Sequence, residues 1–263
     1  MKERSLVAFT LLAQAAVGAF LTLGALEVGA AQLMGSPVPR PLIDATLLAI
    51  GPVVAAALAA SLLHLGTPAA AWRAVANLRT SWLSREILLA VAFALAGAAF
   101  AALRLSGIGP AVVRPALAGT AALAGVALIY AMARVYRIRT IPAWDTPFTT
   151  VSFFAATLLL GSLGVGTALV LLPSMPGASL AGSLRCVAVA AAAGFGAELA
   201  LAGRGTAHAI PRFLLLAGLA LSVGSLLGTG RPPGLIVAAF VLALPAEVQG
   251  RYLFYVQGSK KML

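Results

Sequence analysis

The sequence predicts an all-α integral membrane protein: eight transmembrane helices in a bundle, with both termini on the same side. Three observations carry this. Apolar stretches of about twenty residues, broken by short polar turns, recur about eight times along the chain, and a bilayer core of about 30 Å needs about 20 apolar residues per helix. Mean hydropathy is +1.02. Only 10% of residues are charged, against about 25% in soluble domains.

The first span is predicted over 5–33. Lys2, Glu3 and Arg4 before an apolar run, then Ala13-Gln14-Ala15, mimic a signal peptide. The run continues long enough to cross the bilayer, so it reads as an uncleaved span. Gly35-Ser36-Pro37 separates it from the second span, 42–64, and Gly66-Thr67-Pro68 ends that one. The third, 86–104, and the fourth, 115–137, are joined through Gly107-Ile108-Gly109-Pro110. The fifth, 148–172, stops at the Pro173–Gly177 stretch. The sixth covers 183–203 and the seventh 212–229; the eighth, 234–256, follows Arg231-Pro232-Pro233-Gly234. Such Gly and Pro clusters are the usual breaks between helices. Within the spans small residues abound, as in Gly161-Ser162-Leu163-Gly164-Val165-Gly166. They permit close helix approach where lipid supplies no hydrophobic drive. Spans and loops use up the length, so residues 1–263 read as a single polytopic transmembrane domain with no soluble catalytic module.

With eight spans, one face (side A) holds both termini and the loops at 65–85, 138–147 and 204–211. Side B carries Arg40, Arg104, Arg114, Arg185 and Arg231, leaving thirteen of the 18 Lys and Arg on side A. By the positive-inside rule side A is cytoplasmic; a basic docking surface for another subunit would give the same bias. The net charge of +11 is explained by arginines that cap helices and flank the bilayer, so nucleic acid is not expected as a partner. The membrane itself is: a multi-pass place in the cytoplasmic (inner) membrane, in contact with lipid.

Two side A loops exceed tight turns. In 66–84, Trp72, Val75 and Leu78 alternate with Arg73, Asn77 and Arg79, the pattern of an amphipathic interfacial helix. In the second, RIRTIPAWDTPF (137–148), Trp144 fits an interfacial aromatic belt. Together they form a platform suited to docking a partner.

Ionisable groups inside spans are costly and are candidates for function. On side B, Glu27 and Asp44 fall near Arg40, Arg104 and Arg114 and read as interfacial pairs. On side A, His64 ends the second span, and Arg85 and Glu86 open the third at similar depth. Arg134 and Tyr136 end the fourth, Glu198 is near the end of the sixth, and Gln14 lies in the side A half of the first. Glu247 and Arg251 stand at i and i+4 in the last span, acid first. His and Glu exchange protons; Arg and Tyr orient a carbonyl or phenol. Those are the requirements of a site that oxidises a quinol or reduces a quinone, with lipid access for the tail. Plainer readings stand beside this one. Glu247–Arg251 is then a structural ion pair, His64 a helix C-cap, Glu86 a residue favoured by the helix dipole, and His208 an ordinary loop residue. With one cysteine and two histidines in separate connections, neither a haem nor a metal is expected in this protein.

SLLHLGTPAAAWRAVANLRTSWLSREI (61–87), with His-Leu-Gly-x-Pro followed by Ser-x-Glu-Ile, resembles the membrane anchor subunit of dimethyl sulfoxide reductase. So do RVYRIRTIPAWDTPF (134–148) and EVQGRYLFY (247–255), and the similarity runs over the whole eight-span plan. The resemblance implies an anchor for a molybdopterin catalytic subunit and a four-cluster iron–sulfur subunit. Such an anchor exchanges electrons with the quinone pool (menaquinone or ubiquinone) and holds no haem. It also implies that His64 and Glu86 handle quinol. The family includes the anchors of sulfite-oxidising molybdoenzymes, and Arg85 stands where the sulfoxide-reductase anchors carry a smaller or neutral residue. The competing class is an eight-helix secondary transporter, but transporters place coupling charges at the midplane. Here the midplane is nearly all Ala, Leu, Val and Gly.

Overall fold

The computed structural model describes residues 2–34, 38–63, 77–142, 144–171, 177–202, 209–226 and 233–259. They form eight helices: α1 Lys2–Met34, α2 Arg40–Leu63, α3 Trp82–Ser106, α4 Val113–Tyr136, α5 Pro147–Leu171, α6 Gly177–Ala202, α7 Ala209–Leu226 and α8 Gly234–Ser259. Each coincides with a predicted span, and the described residues contain no strand. Seven are long and apolar enough to cross a membrane; the apolar part of α7, Pro211–Leu226, is shorter.

Helix ends account for the small differences from expectation. Helix α3 begins at Trp82, one turn before the predicted start, because Ser81 is extended (φ −97°, ψ 118°) and its side chain accepts from the Ser84 N–H at 3.2 Å. Such a cap satisfies one of the amide donors a helix start leaves free. Glu86 therefore lies a turn inside the helix. At the other end Gly107 adopts a left-handed conformation (φ 68°) and closes α3 as glycine caps do. Pro52 and Pro245 sit inside α2 and α8, tolerated as prolines are in membrane bundles.

Helices α1 and α5 are the centre of the bundle. Helix α1 touches α2, α4, α5, α6 and α8; α5 touches α1, α2, α4, α6 and α8. Their crossing is backbone on backbone. A Cβ on Gly18 would stand 2.0 Å from the Thr157 carbonyl oxygen, and one on Gly161 would stand 2.1 Å from the Gly18 carbonyl carbon. Close approach at small residues is how helices gain packing in lipid. Around this crossing Leu159, Leu160, Leu163 and Phe153 are fully buried.

Candidate functional site

A buried group of polar and aromatic side chains gathers where the start of α1 meets the start of α5 and the end of α8. Gln14, fully buried, donates through Nε2 to the Phe153 carbonyl at 2.8 Å. Its Oε1 accepts from Nη2 of Arg251 at 3.2 Å. The Arg251 guanidinium lies 3.9 Å from the centre of the Phe153 ring, close enough for a cation–π contact. One turn further along α8, the Tyr255 hydroxyl donates to Thr10 of α1 at 3.3 Å. The last turns of α8 thus lie beside the first turns of α1.

Tyr136, at the end of α4, is the aromatic hub. Its ring centre lies 5.1 Å from Tyr255 and 5.8 Å from each of Trp144, Phe153 and Phe254. Glu86 of α3 is buried at this same end, within electrostatic reach of Tyr136 and Tyr255. It is 4% exposed. Glu198, Glu247 and Arg251 interact electrostatically, and Ser152 donates to Glu198 at 3.0 Å.

Trp82 holds the outer edge. It lies at i−4 from Glu86, so the two share one face of α3. Tyr130 meets its ring edge-on at 5.7 Å, and Arg134 stands 4.9 Å over it. The Nε of Arg134 is buried without a hydrogen-bond partner among the described residues.

Several side chains make contacts that the sequence did not suggest. Arg85 turns back on its own loop: it donates to the carbonyls of Leu78 (2.8 Å) and Arg79 (2.7 Å) and lies 4.2 Å over Trp82. Its donors satisfy the segment entering α3. Glu247 and Arg251 form no direct ion pair; α8 turns Arg251 towards Gln14 and Phe153, where hydrogen bond and ring face replace the carboxylate. Trp144 is not in an interfacial belt. It is 7% exposed, stacks on Phe254 at 5.2 Å and donates to the Phe254 carbonyl at 2.9 Å. The inward turn satisfies the indole N–H, which a buried tryptophan needs. Arg137 meets Asp145 at 3.5 Å within its loop, while Arg139 is exposed. His64, His208 and most of the 66–84 segment lie outside the described residues. On side B, Arg104 pairs with both Glu27 (2.6 Å) and Asp44, as the sequence led one to expect.

Tyr255, Thr10, Phe153 and Phe254 escape a search for charges. One signal was available: Glu247, Arg251 and Tyr255 recur every four residues, which puts them on one face of α8. Among the described residues no three or more His, Cys, Asp or Glu gather as metal ligands would.

Fold and site together define a polytopic helical membrane protein whose buried ionisable groups collect at one end of the bundle. The family model "DMSO reductase anchor subunit (DmsC)" matches residues 1–202, and the protein belongs to this family. It is 30% identical to an anaerobic dimethyl sulfoxide reductase chain of Haemophilus influenzae, over 96% of its own length and 94% of the relative. Identity to the corresponding chain of the Escherichia coli anaerobic dimethyl sulfoxide reductase is 29% with the same coverage. A shorter match, 36% identical over 40% of this protein and 37% of the relative, is to a sulfite dehydrogenase subunit of Allochromatium vinosum.

Proposed function

We propose that this protein is the quinone- and quinol-binding membrane anchor of a molybdopterin iron–sulfur oxidoreductase. It passes electrons between the quinone pool of the cytoplasmic (inner) membrane and a four-cluster iron–sulfur subunit, which serves a molybdopterin catalytic subunit. The anchor performs no chemistry on the terminal substrate and holds neither haem nor metal.

Glu86 carries this reading. A carboxyl buried near the end of a membrane helix is costly unless something engages it. The Nε atoms of Arg134 and Arg251 at the same end lack a hydrogen-bond partner among the described residues. A proton acceptor and spare donors fit the two oxygens of a quinone head group. A bound quinol supplies two electrons and two protons.

Glu86 with His64 accepts or returns protons at the ring oxygens. Arg134 and Tyr136 donate hydrogen bonds that hold the head group. Gln14, Glu247 and Arg251 line the inner side, where Arg251 and Gln14 hold each other in place. Arg85 acts less directly, fixing the loop before α3 over which the iron–sulfur subunit sits. That face, side A, carries both termini and the positive-inside excess.

The test uses the assembled complex. Glu86→Gln and His64→Ala should each abolish quinol-linked turnover, with artificial-dye activity of the soluble subunits intact. Normal quinol turnover in both variants would overturn the assignment.

A further inference from the structure

At the opposite end of the bundle, helices α1 to α4 enclose a cavity of about 610 Å³ that no part of the proposed quinone chemistry uses. Its size is that of a ligand site, about 300–1,000 Å³. Phe20, Leu47 and Phe100 form apolar walls, and Glu27, Arg104 and Arg114 stand among the lining residues. Val28, also in the lining, is 66% exposed, so the cavity opens towards the lipid.

The charges are unequally satisfied. Arg104 is held by two carboxylates, through Nη1 to Glu27 and Nε to Asp44. Arg114, in the first turn of α4, makes no hydrogen bond or ion pair with the described residues. A guanidinium stays charged under all ordinary conditions and favours bidentate contact with phosphate or carboxylate. The Glu27 side chain is 40% exposed, and its bond to Arg104 uses one oxygen. The unpaired guanidinium of Arg114 and the free oxygen of Glu27 offer the cavity one cation and one anion, which suits a zwitterionic head group better than a strongly anionic one.

Gly24 and Gly119 line the cavity from α1 and α4, and a Cβ added to either would meet nothing within 4 Å, so both helices leave room beside the charged groups.

We propose that this cavity binds an aminophospholipid of the phosphatidylethanolamine type. Its phosphodiester rests on Arg114, its ammonium faces Glu27, and an acyl chain lies against Phe20, Leu47 and Phe100. The site is independent of the quinone reading, since it shares no residue with it.

The experiment is lipid analysis of the intact detergent-purified complex by native mass spectrometry, with phosphatidylethanolamine and phosphatidylglycerol offered in equal amounts. Wild type should retain one phosphatidylethanolamine per anchor. R114Q should lower retention about tenfold, the loss of one charge-assisted contact. G119L should do the same by filling the cavity, at a position with open space for the side chain. E27Q should erase the preference for phosphatidylethanolamine over phosphatidylglycerol. A wild-type complex with no retained phospholipid, with phosphatidylglycerol preferred or with a quinone in its place would overturn the proposal. So would retention unchanged in both R114Q and G119L.

Discussion

Nη2 of Arg251 donates to Oε1 of Gln14 at 3.2 Å, although 237 residues separate them in sequence. Gln14 passes the contact on to the Phe153 carbonyl, and the Phe153 ring lies beneath the guanidinium. One polar contact set thus ties α1, α5 and α8 together inside an apolar bundle.

Breaking that set should cost stability and not only activity. Q14L leaves a buried guanidinium without its acceptor, a loss of about 1–3 kcal/mol. R251K keeps the charge but loses the planar group that bonds and stacks at once. Both should lower the unfolding midpoint of the detergent-solubilised complex. An unchanged midpoint in both would mean that the contact contributes nothing.

Two glycines in one stretch of α5 should respond oppositely. At Gly161 an added methyl meets the Gly18 backbone, which no rotamer change can relieve, so G161A should cost about 1–3 kcal/mol or more and reduce the anchor found in membranes. At Gly164 the nearest atom is Phe240 Cζ at 4.0 Å, so G164A should accumulate as wild type does. Immunoblots of membrane fractions distinguish the two.

The Arg104 node on side B should behave as a unit. R104M leaves Glu27 and Asp44 without their shared cation and should destabilise by about 1–3 kcal/mol. Adding E27Q and D44N to R104M should recover most of that loss, because the uncompensated charges are gone. Thermal unfolding of the single and triple variants gives the answer; equal midpoints would show that the node is not coupled.

Attachment of the soluble subunits should depend on Arg139 more than on Arg137. Arg139 is exposed, whereas Arg137 is already engaged by Asp145. R139E should release the soluble subunits from washed membranes at lower salt than wild type, since exposed charge contacts are screened by salt. Release at the same salt concentration in R139E and wild type would remove this loop from the docking face.

Much of this protein lies in plain view in its sequence. Hydropathy and the Gly and Pro breaks locate the eight helices, and 1.5 Å per residue then sets the depth of each side chain. That is why Glu27, Asp44 and Arg104 could be assigned to one end of the bundle, and Glu86, Glu198 and Glu247 to the other, before any packing was known. Rotation and neighbourhood are another matter. Helices of Ala, Leu, Val and Gly are apolar all round and offer no polar stripe to show which face turns inward. Whether Trp144 meets lipid or Phe254, and whether Arg251 meets Glu247 or Gln14, depends on how helices distant in sequence fit against each other. The central place of α1 and α5 depends on the same fit, through the backbone approach of Gly18 and Gly161. Depth in the membrane is a one-dimensional property that hydropathy records residue by residue. Lateral arrangement comes from short-range contacts between nearly equivalent apolar surfaces, and only the tertiary structure decides it.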